Sequence, residues 1–274
     1  MRDASPLRYS GGKWRLFGLF KRTIAINFQT PPKYVEPYAG GASLALSLLF
    51  KNIVREVWIN DLDPAIHAFW HSVLKHPEEF SKHIKTAPLT PAEWKKQKKI
   101  YASGLASGRF ALGFATFYLN RTNHSGILNG GMIGGKNQAG PWTLSARFNR
   151  DELARRVLQV GEWKSKIHLS RKDAAVFLSS VALEQNLCIF KESLAVRGSL
   201  RNRLCEYVVF EFHVIDFRCE ATSLSIDFFR HRIAMNRKLA FQRLQIHLDD
   251  FVHQLLCVAY LLKNLGDRVK SGHT

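Results

Sequence analysis

The chain has 274 residues, 40 Lys+Arg against 22 Asp+Glu for a formal charge of +18, and 46% hydrophobic residues including 12% aromatics. That length and apolar content exclude a disordered chain and suit one large domain, or a core with a sizeable insertion. The charge points to a polyanionic partner. The apolar runs 44–50 and 251–262 fall short of the ~20 residues that cross a bilayer.

Residues 34–38 (YVEPY) read as a strand, 39–41 (AGG) as a tight turn and 42–50 as a helix with no breaker. Residues 56–60 (EVWIN) read as a second strand ending at Asp61, and 64–74 as a second helix. Such a βαβα run predicts a parallel sheet with helices on its faces. From about 76 to 150 the pattern is helical and basic, with KKQKK at 95–99 and a Gly/Asn-rich loop over 123–140. Residues 166–170 (KIHLS) return to the sheet, and a further helix starts at 173.

Composition changes along the chain. All nine prolines lie at or before Pro141 and all six tryptophans at or before Trp163, whereas Cys188, Cys205, Cys219 and Cys257 come later. Residues 1–185 hold 27 basic and 13 acidic side chains, a net +14, against +4 for the remainder, so the polyanion signal belongs to the first two thirds. With no CxxC pair the cysteines read as free thiols. The opening MRDASP has no apolar core like that of a secretory signal, and a cytoplasmic location is expected.

The most informative pairing is the glycine turn with the acid that follows it. A turn without β-carbons lets backbone approach a ligand at a helix N-terminus, and a carboxylate ending the next strand can accept from ribose hydroxyls. Gly41 and Asp61 are 20 residues apart, the separation that arrangement expects. The GxGxxG pattern is missing, which favours a nucleoside cofactor over a dinucleotide; a turn that only lets strand and helix pack is the plain alternative. Upstream, PLRYSGGK at 6–13 joins an aromatic ring, a glycine pair and a lysine, too short for a phosphate-binding P-loop. At 117–126 (FYLNRTNHSG) an apolar helix end delivers an amide and a guanidinium into a loop, a group able to read base edges and phosphates.

Together these segments resemble the Dam-type (D12 class) DNA adenine-N6 methyltransferases. The resemblance rests on PLRYSGGK at 6–13, YVEPYAGGASLALSLL at 34–49, VWINDLDPAI at 57–66, GFATFYLNRTNHSGI at 113–127, GGKN at 134–137 with RFNRDELARRV at 147–157, and KIHLSRKDAAVFL at 166–178. It implies an α/β fold: a Rossmann-like core binding S-adenosylmethionine, with a helical DNA-recognition insertion, and methyl transfer to the exocyclic amino group of adenine in duplex DNA, a chemistry of restriction-modification. By this resemblance Tyr9, Lys13, Glu36, Gly40, Gly41 and Asp61 bind the cofactor, and Asn120 and Arg121 face DNA. Lys95, Lys96, Lys98 and Lys99 are further candidates for phosphate contact, against a plainly solvated helix face. The expected organisation is a first part of the core at 1–75, a recognition insertion at 76–160, a return to the core at 161–185 and a divergent region at 186–274. No metal is needed, because the sulfonium is already activated, and a monomer is expected.

One element of the family does not appear. Its Asp-Pro-Pro-Tyr type tetrapeptide follows the recognition insertion, where Asp and a proline carbonyl accept from the adenine amino group and Tyr stacks on the extruded base. With no proline beyond Pro141, no catalytic residue can be assigned there. A shift of reading frame near residue 185 is one explanation; a genuinely divergent region, leaving a catalytically inactive protein that binds cofactor and DNA, is the other. His247, His253 and Cys257 read as core or surface residues rather than a zinc site, which generally wants more ligands. A nicotinamide-dependent oxidoreductase on the same fold class is disfavoured by the loop lacking GxGxxG.

Overall fold

The computed structural model describes residues 4–8 and 13–181, together with the backbone of three later strands, 187–196, 206–216 and 219–229. They belong chiefly to the larger of two compact units, residues 1–195 with 208–228.

A first helix, α1 (Phe17–Asn27), precedes β1 (Lys33–Glu36), α2 (Ser43–Phe50), β2 (Glu56–Asn60) and α3 (Pro64–Lys75). Strand β1 stops at Glu36, short of the predicted residue 38, because Pro37 has no N–H to continue a ladder. Tyr34, Val35 and Glu36 on β1, and Val57 and Ile59 on β2, are buried, as expected for a strand covered on both faces. Helix α2 (SLALSLLF) is apolar all round and buries six of its eight residues. Helix α3 starts sharply: Pro64 supplies the preset φ, and the Asp63 carboxylate accepts from Ala65 N at 2.7 Å.

Four helices follow, α4 (Pro77–Thr86), α5 (Pro91–Ala102), α6 (Arg109–Thr122) and α7 (Arg150–Glu162). Their core is aromatic: Phe80 meets Phe69, Phe110, Phe114 and Phe117 at 5.5–5.8 Å between ring centroids. Helices α3 and α6 approach closely enough that a Cβ on Gly113 would sit 2.6 Å from the Ala68 carbonyl oxygen. Arg150 closes α4 by donating to the carbonyls of Ile84, Lys85 and Ala87, which lack intrahelical partners.

The chain then returns through β3 (Ile167–Ser170), α8 (Ala174–Val181), β4 (Leu187–Val196), β5 (Glu206–Asp216) and β6 (Cys219–Phe229). Strand order is β3-β2-β1-β4-β5-β6. The β1–β2, β2–β3 and β1–β4 pairings are all parallel, with Val35 opposite both Trp58 and Ile189. The order therefore reverses between β1 and β4, and such a switch point opens a crevice beyond the carboxyl ends of the strands. Cys188, on β4 beside Tyr34, is a buried free thiol pushed up to about 12 by burial. No helix among the described residues is long and apolar enough to cross a membrane. Cys257, His247 and His253 lie outside the described residues.

Candidate functional site

The crevice is built on the loop that leaves β1. Gly40 adopts φ +46°, a left-handed conformation that costs glycine little, and Gly41 follows in the same buried turn. Three neighbours fix this turn: Ala39 N donates to Asn60 O at 2.8 Å, Gly40 N to Asp61 Oδ2 at 2.8 Å, and the Trp70 indole on α3 to Gly40 O at 2.8 Å.

Asp61 also accepts from Asp63 N through Oδ1 at 3.0 Å. A carboxylate has about four acceptor positions, so two remain for hydroxyl donors. Burial pushes this carboxyl above the ordinary aspartate range, while the two backbone N–H groups pull the other way. Glu36 is buried at the end of β1, where its Oε1 pairs with Lys13 Nζ at 2.9 Å; the ammonium also donates to Tyr38 O at 3.1 Å. Lys13, Glu36, Gly40, Gly41 and Asp61 thus converge on the loops after β1 and β2. Tyr9 lies outside the described residues. Tyr38 and Leu62, which flank this group, are 50% and 59% exposed.

A second assembly joins the N-terminal arm, residues 4–8, to α6 and α7. Asn120 Oδ1 accepts from Arg8 N at 2.7 Å, and its Nδ2 donates to Arg8 O at 2.7 Å and Gly126 O at 3.0 Å. Arg121 donates from Nε to Pro6 O at 2.7 Å, and Arg156 from Nη1 to Ser5 O at 2.8 Å. Both Asn120 and Arg121 are buried.

A family model for the D12 class N6 adenine-specific DNA methyltransferases matches residues 9–174. The chain belongs to that family. No curated protein matches it. The match to this methyltransferase class takes in the crevice loops, all of α1–α7 and β1–β3, and ends as α8 begins.

Two methyltransferase features singled out for DNA lie differently from one another. Lys95, Lys96, Lys98 and Lys99 are all exposed on α5, whose Trp94 and Gln97 face inward. Lys96 Nζ lies 3.7 Å from Glu93, and the Lys98 ammonium sits 4.7 Å from the centre of the Trp94 ring. Asn120 and Arg121, in contrast, have their polar atoms engaged with backbone inside the protein, and neither joins the lysines. What reaches the surface nearby is the loop after α6, where His124, Ser125, Ile127 and Asn129 are exposed. Asn123 shapes it, donating to Ile127 O and Leu128 O and accepting from the Trp94 indole at 2.7 Å. Beyond it Trp142 is 62% exposed, with the Arg147 guanidinium 5.7 Å from the ring centre.

The outer side of α3 is also basic. Arg109 Nη1 lies 3.1 Å from His71 Nε2, and His67 is lowered to about 4 by burial, with His71, Arg109 and Arg171 adding repulsion. Burial and the neighbouring Arg109 guanidinium lower His71 as well. Sequence reasoning missed Asn60, Trp70, Asn123 and Arg156, whose partners lie 23 to 151 residues away. No group of three or more His, Cys, Asp or Glu able to hold a metal occurs among the described residues.

Proposed function

We propose that this chain supplies the binding half of adenine-N6 methylation: S-adenosylmethionine in the crevice after β1 and β2, and duplex DNA along the helical segment. The observation that carries the reading is the pairing of the Gly40 turn with Asp61, each fixing the other through the 2.8 Å hydrogen bond. The residues fit a nucleoside. Asp61 keeps acceptor capacity for ribose hydroxyls, the Gly40 turn lets backbone come close, and Leu62 and Tyr38 offer apolar faces to a base. Lys13 holds Glu36 at the end of β1 and fixes the entry of the N-terminal segment. S-adenosylmethionine, when bound, supplies a methyl group already activated as a sulfonium. On this reading residues 1–75 and 161–185 form a Rossmann-like core, and 76–160 an inserted recognition subdomain.

For DNA, the support is the exposed lysine face of α5, the basic side of α3, and the loop 124–131 with its exposed Ile127. Phosphate contacts give affinity, and an apolar side chain on a loop can wedge between base steps. Catalysis is a separate matter. Strand β4, the parallel neighbour of β1, reads LCIFKESLAV, and no proline follows Pro141. The Asp and proline carbonyl that would orient the adenine amino group are missing from it. We therefore expect donor binding and salt-dependent binding of duplex DNA, with no tritium passed from labelled donor to unmethylated DNA. Label recovered in N6-methyladenine would overturn the binding-only reading, and failure to bind the donor would overturn the site.

The lysines offer an independent check. Replacing Lys95, Lys96, Lys98 and Lys99 by Gln is expected to weaken duplex binding and to lower the slope of log K against log salt by up to about 4, roughly one per lost phosphate contact. Fluorescence anisotropy over a salt series measures it, and an unchanged slope would move the DNA off α5.

A further inference from the structure

We propose that Asn120 is a positioning residue that locks the N-terminal arm to the loop 124–131, so that the segment leading to the donor crevice and the segment facing DNA are held as one unit. The idea rests on the functional reading above, but the lock itself is built from geometry. The Asn120 carboxamide is 2% exposed and treats the peptide of Arg8 as a neighbouring strand would, accepting from its N–H and donating to its carbonyl, both at 2.7 Å. Its second N–H reaches across to Gly126 O at 3.0 Å. One acceptor and two donors at that reach are what a carboxamide alone provides: Asp has no donor, and Leu has neither.

The two backbones also touch. Gly126 sits at φ +75°, and a Cβ there would lie 2.9 Å from Arg8 O and 3.3 Å from the Arg8 Cβ. Arg121, the next residue on α6, holds Pro6 O. The arm precedes by five residues Lys13, which pairs with Glu36 at the end of β1. A direct base contact by Asn120 would break three hydrogen bonds, one buried and two part-buried, and leave the backbone N–H and carbonyl of Arg8 without this partner. Its role is therefore to fix where the arm and the loop stand, with other side chains touching the ligands.

The test compares Asn120→Ala with Tyr118→Phe in the full chain. Tyr118→Phe removes the hydroxyl bond to Pro88 O from the same helix, a bond that involves neither segment. By hydrogen exchange, Asn120→Ala should speed amide exchange at least tenfold in both residues 5–8 and residues 124–131, and weaken S-adenosylmethionine and duplex DNA binding about tenfold each. Tyr118→Phe should leave all four readouts in place whatever it does to the melting temperature. If Asn120→Ala does not fold, Gly126→Ala, which presses a methyl group against Arg8 O, should give the same two-segment signature. Faster exchange in the loop alone, with donor affinity unchanged, overturns the proposal and returns Asn120 to a DNA contact. If the parent chain binds no donor, the functional reading fails, while exchange in the two segments still decides the lock.

Discussion

Asp61→Ala is expected to weaken S-adenosylmethionine binding about 100-fold while leaving the circular dichroism spectrum intact. The carboxylate keeps two acceptor positions for ribose hydroxyls, and hydrogen bonds to a charged acceptor contribute roughly 1.5–3 kcal/mol each. A loss near 3 kcal/mol corresponds to about two orders of magnitude in Kd. The pH dependence follows from the burial of the same group. Because burial raises this carboxyl and only the carboxylate accepts from two hydroxyls, donor affinity should begin to fall on acidification at a higher pH than for an ordinary aspartate. For the fold the sign is opposite. A carboxyl raised on folding favours the protonated native state, so its contribution to stability declines as pH rises from the unfolded value through the folded one. Calorimetric titration of the parent and variant across pH 4–8 measures the first effect, and an affinity equal in both and independent of pH would remove Asp61 from the site.

Asn60→Ala is expected to cost about 3–5 kcal/mol of stability in urea denaturation. Asn60 is 1% exposed at the end of β2, and its carboxamide makes four hydrogen bonds. Nδ2 donates to Pro37 O at 3.0 Å and Lys172 O at 2.9 Å, while Oδ1 accepts from Ser170 Oγ at 2.8 Å and Lys172 N at 2.9 Å. Removing it strands several polar groups, and each one buried without a partner costs about 1–3 kcal/mol. Asn60→Asp keeps the accepting oxygen but sets a second oxygen against the Pro37 and Lys172 carbonyls, so its cost adds repulsion and charge burial to the loss of both donors. The residue ties the loops after β1 and β3 to the end of β2, so Ala should also loosen the glycine turn and weaken the donor. A cost below about 1 kcal/mol would mean that water replaces the amide, as it can where space and partners allow.

The parts of the fold that local pattern controls are legible in the sequence. Residues 56–60 and the Asp63-Pro64 start mark β2 and α3 to within a residue, because a strand ending in a polar pair and a proline at a helix start leave little alternative. The glycine turn and Asp61 are legible for the same reason: turn chemistry and spacing are local. Asn120 and Arg121 stand out in the sequence as a polar pair ending an apolar helix, but their direction does not. Helix α6 is buried continuously from Leu112 to Thr122, so its terminal polar groups turn inward to backbone rather than outward. Nothing near residue 120 announces that the carbonyls of Pro6 and Arg8 will be there to meet them. Trp70 and Asn123 have the same character. Each is an ordinary core residue until a distant loop arrives to use its hydrogen-bonding group.

The anchoring of the N-terminal arm has a consequence for synthesis. The arm is the first described segment to leave the ribosome, yet Arg121 and Arg156, which hold its carbonyls, follow 115 and 151 residues later. At about 5–20 residues per second the second anchor arrives roughly 8–30 s after the arm. Strands β1 and β2, the glycine turn and Asp61 are all made in that interval, before the arm has both anchors and before β3 and β4 are made to flank them. A chain arrested anywhere between Asp61 and Arg156 carries the Gly40 turn and Asp61 without the second clasp that seats the arm.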